Sequence, residues 1–69
     1  MDTLKINGEI KQFVGGLPAT LSQLLAHLKV DEATVVAEID GTIIERAQFA
    51  TTRMHESQKI ELIRFVGGG

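Results

Sequence analysis

The chain has 69 residues, and seven Lys and Arg against nine Asp and Glu (7 − 9) give a formal net charge of −2. A chain this short forms one small domain and buries only about 60% of its unfolded surface, which leaves a core too thin to wall a deep enzyme pocket. It has no cysteine, which excludes disulfides, cysteine-ligated metals and sulfur held on a side-chain thiol, and its acidic balance argues against nucleic acid.

No apolar run approaches the length that spans a membrane. Met1-Asp2-Thr3-Leu4-Lys5 lacks the basic and apolar regions of a signal peptide, so a cytoplasmic protein is expected. Leu4-Lys5-Ile6 and Glu9-Ile10-Lys11-Gln12-Phe13-Val14 then flank Asn7-Gly8. Asn-Gly between two such runs predicts a hairpin, because a type I′ turn needs positive φ at both central residues. Leu4 and Ile6 are expected to face inward, with Thr3 and Lys5 outward. In the second strand Ile10 and Phe13 are out of phase, so its register stays open.

Gly15-Gly16-Leu17-Pro18-Ala19 is a break, and it lacks the strand-to-helix context of a phosphate loop. Thr20 follows with Gln23 three residues on, the spacing of a capping box. Leu21, Leu24, Leu25 and Leu28 form one apolar helical stripe, with Ser22, Gln23, Ala26 and His27 on the other face. Lys29 suits the negative end of the helix dipole. The stripe must pack on a sheet, since nothing else in the chain covers it.

Val35-Val36-Ala37-Glu38-Ile39 reads as a third strand, Asp40-Gly41 as a turn and Thr42-Ile43-Ile44 as a short return strand. Ala47-Gln48-Phe49 suggests a helical turn with Phe49 plugging the core. Residues 51–58 are polar apart from Met54, which anchors a loop. Residues 59–66 are rich in β-branched and aromatic types and form the last strand. Ile60 and Leu62 share one face with Arg64 and Val66, whereas Lys59, Glu61, Ile63 and Phe65 share the other. If Ile60 and Leu62 face the helix, Ile63 and Phe65 form a small apolar docking patch on the open side. The order is α+β, a mixed sheet with one main helix on one face. It suits a β-grasp plan, with the first and last strands adjacent and parallel.

The sequence closes on Gly67-Gly68-Gly69. Three glycines are costly to order and pack nothing, yet without side chains they can enter a narrow slot. Extended, they reach about 10 Å from the body. The domain is thus expected over 1–66 and a flexible tail over 67–69. A terminal carboxylate at Gly69 is ionised at neutral pH and is a poor electrophile, so chemistry there needs activation by another protein. From the glycines alone, a frayed end or a cloning scar is the commoner explanation.

Four segments together resemble the ThiS sulfur carriers of thiamin biosynthesis, small β-grasp proteins of the ubiquitin-like superfamily that end in Gly-Gly. They are Ile6-Asn7-Gly8-Glu9, Thr20-Leu21-Ser22-Gln23-Leu24-Leu25, Val36-Ala37-Glu38-Ile39-Asp40-Gly41 and the run from Lys59 to Gly69. The resemblance covers nearly the whole chain, and the closing Val66-Gly67-Gly68-Gly69 is its most specific part. There are departures. Ile44-Glu45-Arg46 stands where Val-Pro-Arg is common, Phe49 where Trp is usual, and His55-Glu56-Ser57-Gln58 where an Asp-Gly-Asp turn is frequent.

The resemblance implies that a ThiF-type adenylyltransferase uses ATP and magnesium to adenylylate Gly69. A sulfur donor then makes the thiocarboxylate, which a ThiG-type thiazole synthase consumes. The carrier would be a protein cosubstrate rather than an enzyme, with no cofactor bound, no metal and no nucleic-acid or membrane partner. Gly67 and Gly68 would form the tail, and Ile63, Arg64, Phe65 and Val66 would meet partners. A MoaD-type molybdopterin synthase subunit, a ubiquitin-like modifier and a passive β-grasp interaction module remain alternatives. His27 and His55 lack ligand spacing and read as surface histidines. Glu45-Arg46 reads as an exposed pair.

Overall fold

Two Asx-Gly turns shape the sheet. The computed structural model describes residues 2–64. Strands β1 (Asp2–Ile6) and β2 (Glu9–Phe13) are joined by Asn7 and Gly8 at φ 50° and 85°. Strands β3 (Val35–Ile39) and β4 (Thr42–Ile44) are joined by Asp40 and Gly41 at φ 49° and 85°. Both turns have the paired positive φ of type I′, whose twist matches that of the flanking strands. Strand β5 (Lys59–Arg64) completes a five-stranded sheet in the order β2-β1-β5-β3-β4. β1 and β5 are parallel and the other neighbours antiparallel. This is the β-grasp arrangement expected from the order of elements.

Register settles the phase left open in β2. Lys5 pairs with Ile10 and Asp2 with Phe13. Directly paired residues share a face, so Phe13 joins Leu4 on the helix side while Ile10 lies outside, 72% exposed. Leu4 is fully buried, Ile6 is half-buried against the core and Lys5 is exposed.

Helix α1 (Leu21–His27) begins at Thr20, whose hydroxyl oxygen accepts from the Gln23 N–H at 3.2 Å. The reciprocal bond differs from the expected box. The Gln23 side-chain oxygen accepts from Ala19 N–H at 3.0 Å, one residue earlier than the cap. Leu21, Leu24 and Leu25 are fully buried and Leu28 is half-buried, so the stripe is the core face. The helix stops because Lys29 takes φ 60°. Lys29 N–H bonds to Ala26 O and Val30 N–H to Leu25 O, which makes a Schellman ending, with half-buried Val30 as its apolar contact. Lys29 thus terminates the helix by its backbone, beyond the charge role read from the sequence.

A 3₁₀ turn (Glu32–Thr34) leads into β3, started by the Asp31 carboxylate accepting from Ala33 N–H at 2.9 Å. Along β3, Val35, Ala37 and Ile39 are buried. A second 3₁₀ turn (Arg46–Gln48) delivers Phe49 into the core at 1% exposure, and Met54 anchors the following loop at 8%. Ser57 holds φ 67° in the turn before β5, a conformation that glycine would adopt without strain. Its N–H bonds to Thr3 O at 2.8 Å, which docks this turn on β1.

Candidate functional site

The strand that leads toward the glycines lies in the middle of the sheet, hydrogen-bonded on both sides. On one side Val36 and Val35 of β3 pair with Ile63 and Arg64. On the other, Lys5 N–H donates to Gln58 O at 3.0 Å and Asn7 N–H to Ile60 O at 2.9 Å. Strand β1 then turns away. The Asn7 side chain takes over, accepting from Leu62 N–H at 2.7 Å and donating to Leu62 O at 3.3 Å. At the opposite end of β5, the Asp40 carboxylate accepts from Lys59 N–H at 2.9 Å, and Asp40 N–H donates to Lys59 O at 2.8 Å. The first residue of each I′ turn therefore also grips β5.

The faces of β5 are as read from its alternation. Ile60 is fully buried and Leu62 half-buried on the helix side. Ile63 is 52% exposed on the open face. Arg64, opposite Val35 by register, is exposed. Phe65, Val66, Gly67, Gly68 and Gly69 lie outside the described residues.

The structure adds neighbours to Ile63 that the sequence reading did not place. Half-buried Val36 is directly opposite it. Glu38 and Glu61 form the next cross-strand pair, and Ile43, 64% exposed, stands opposite Glu38 on the same face. The available signal was alternation within β3. Burial of Val35, Ala37 and Ile39 requires Val36 and Glu38 to point the other way.

Among the described residues no polar or charged side chain is buried. No group of three or more metal-ligating side chains is found among them either. His27 lies against Phe13, ring centroids 5.4 Å apart, and His55 sits in the loop before β5. Glu45 and Arg46 are both exposed at the second 3₁₀ turn. No helix of the described residues is long and apolar enough to cross a membrane.

A five-stranded mixed sheet in this order, crossed by one helix, defines a β-grasp protein of the ubiquitin-like class. The ThiS family model matches residues 4–69. The chain belongs to the ThiS family, the small sulfur carriers of thiamin biosynthesis. A crystal structure of the thiamine biosynthesis protein ThiS from Geobacter metallireducens superposes with a TM-score of 0.82 at 32% identity, covering 97% of this chain and 99% of that one. A solution structure of a thiamine biosynthesis protein from the same organism gives 0.79 at 33% identity, covering 100% and 88%.

A thiazole synthase of Paramagnetospirillum magneticum is 33% identical over 66 residues. That match takes in 96% of this chain but spans only 20% of the relative's length. The uncharacterized protein ycf40 of Porphyra purpurea is 33% identical over 67 residues, covering 97% of this chain and 92% of its own.

Proposed function

We propose that this chain carries sulfur as a thiocarboxylate on Gly69 and delivers it to a thiazole synthase of the ThiG type. The observation that carries the proposal is the family match, which runs through to residue 69. A terminal carboxylate there is the group on which sulfur can be loaded in a chain without cysteine. An activating enzyme of the ThiF type, with ATP and magnesium, turns the carboxylate into an acyl adenylate and releases pyrophosphate. Sulfide released by a sulfur donor attacks the acyl carbon, AMP leaves, and the product is the thiocarboxylate, a soft nucleophile. The carrier contributes no acid or base to these steps. It presents the terminus and the open sheet face around Ile63.

The thiazole synthase acceptor is supported by the relative from Paramagnetospirillum magneticum, in which a segment similar to this chain is part of a longer thiazole synthase. A polypeptide that contains both supports their working together. The test is intact mass spectrometry of the carrier after incubation with a ThiF-type enzyme, ATP, magnesium and a sulfur donor. Replacement of one oxygen by sulfur is expected, followed by its loss when thiazole synthase and its substrates are added. Protein lacking Gly69, or amidated there, is expected to stay unmodified while melting at the wild-type temperature. An unmodified wild type refutes the proposal, as does thiazole formation with the amidated protein.

A further inference from the structure

We propose that Asn7 is a positioning residue for the reacting terminus, its side-chain amide replacing a rung of backbone where β5 leaves β1. The proposal rests on the carrier reading above. The β1 donors Lys5 and Asn7 bond to the carbonyls of Gln58 and Ile60 in steps of two residues. The next carbonyl in that series is Leu62, but β1 has already entered its turn at Asn7, φ 50°. A plain turn residue would leave Leu62 without a β1 partner. Instead Asn7 Nδ2 donates to Leu62 O and Asn7 Oδ1 accepts from Leu62 N–H. An amide side chain has one donor side and one acceptor side, so it can imitate a peptide group. Asparagine also tolerates the left-handed conformation. Few other side chains meet both demands at once.

The consequence lies at the exit of β5. β3 holds that strand on one side as far as Arg64. Without the Asn7 amide, the other side would be unpaired from Leu62 onward. A strand end held on one side frays, and each residue it releases must be ordered again when a partner draws the tail into its site. That cost falls on the productive complex rather than on docking of the folded body. It therefore lowers turnover of the carrier more than it weakens encounter.

Asp40 supplies the control. It has the same turn position and the same kind of grip, but at the entry of β5, on Lys59. Asn7→Gly and Asp40→Gly both keep a type I′ turn, because glycine is favoured at these positions. Each removes the side-chain bonds. The experiment compares wild type, both glycine variants and Asn7→Asp. The readouts are melting by circular dichroism, amide exchange at Leu62, and steady-state adenylylation by a ThiF-type enzyme, followed as pyrophosphate exchange.

Both glycine variants are expected to melt at lower temperature. Only Asn7→Gly is expected to speed exchange at Leu62 and to cut kcat about tenfold with KM within about twofold, as one residue's ordering cost implies. Asn7→Asp restores the acceptor but not the donor and is expected to fall between. Equal kcat in the two glycine variants, an effect confined to KM, or unchanged Leu62 exchange overturns the proposal. Should Asn7→Gly fail to fold, Asn7→Asp decides, and wild-type kcat in that variant overturns it. A wild type that is never adenylylated removes the carrier reading itself, and this role with it, whereas an active wild type matched by Asn7→Gly removes the Asn7 role alone.

Discussion

Truncation of Leu25 to alanine tests the helix-on-sheet core directly. Leu25 is fully buried, and Leu25→Ala removes three carbons. At about 0.8 kcal/mol per buried methylene the transfer loss is about 2.4 kcal/mol. A residual cavity of roughly 40–80 Å³ adds about 1–2 kcal/mol. The total, about 3.4–4.4 kcal/mol, compares with a whole-domain stability of roughly 3–10 kcal/mol at about 0.05–0.15 kcal/mol per residue. At the lower end of that range a sizeable unfolded population is expected even without denaturant, and at the upper end a folded but weakened domain. The chain has neither Trp nor Tyr, so urea titration is best followed by far-ultraviolet circular dichroism. With an m-value of about 1 kcal/mol/M, the midpoint is expected to fall by about 3 M, or the folded baseline to vanish. Leu28→Ala, at a half-buried site on the same stripe, should cost clearly less. A Leu25→Ala midpoint within about 0.5 M of wild type would refute the packing argument.

Ile63→Asp, on the open face at 52% exposure, should leave the dichroism spectrum unchanged and weaken binding to a ThiF-type enzyme in a titration. Loss of fold would instead make Ile63 a core residue. Lys29→Gly relieves a left-handed residue at φ 60° and should stabilise the domain by about 0.5–1 kcal/mol, read as a higher melting temperature. No gain would mean that the lysine side chain contributes as much as the strain costs.

What the sequence disclosed was what a few residues can do only in one way. Asn7-Gly8 and Asp40-Gly41 announce turns because few dipeptides accept positive φ twice. The leucine stripe announces a helix because its spacing fits nothing else in the chain. Phe49 and Met54 are legible as apolar residues isolated in polar surroundings, and both are buried. Alternation in β5 separates buried Ile60 from exposed Ile63. By contrast, β2 is an edge strand whose apolar Ile10 is left outside, 72% exposed, and only its pairing with Lys5 reveals this. The left-handed Lys29 and the short 3₁₀ turn at Glu32–Thr34 carry no pattern that distinguishes them from ordinary helix flanks.

The candidate site divides along the same line. The chemistry proposed for it rests on local features of the sequence, glycines without side chains and a chain without thiols. Its mechanical support does not, because the residues that hold β5 are distant from it in the chain. Asn7 is 55 residues from the Leu62 backbone it grips, and Asp40 is 19 from Lys59. Read locally, each is fully explained as a turn former, so nothing suggests a second role. That role exists only once β5 is inserted between β1 and β3 and both turn side chains meet its backbone. Among the described residues, β5 is the element nearest in the chain to the carboxylate proposed to react. In this fold the two turns that order the hairpins also hold that strand, Asp40 at its first residue and Asn7 at Leu62, two residues before its last.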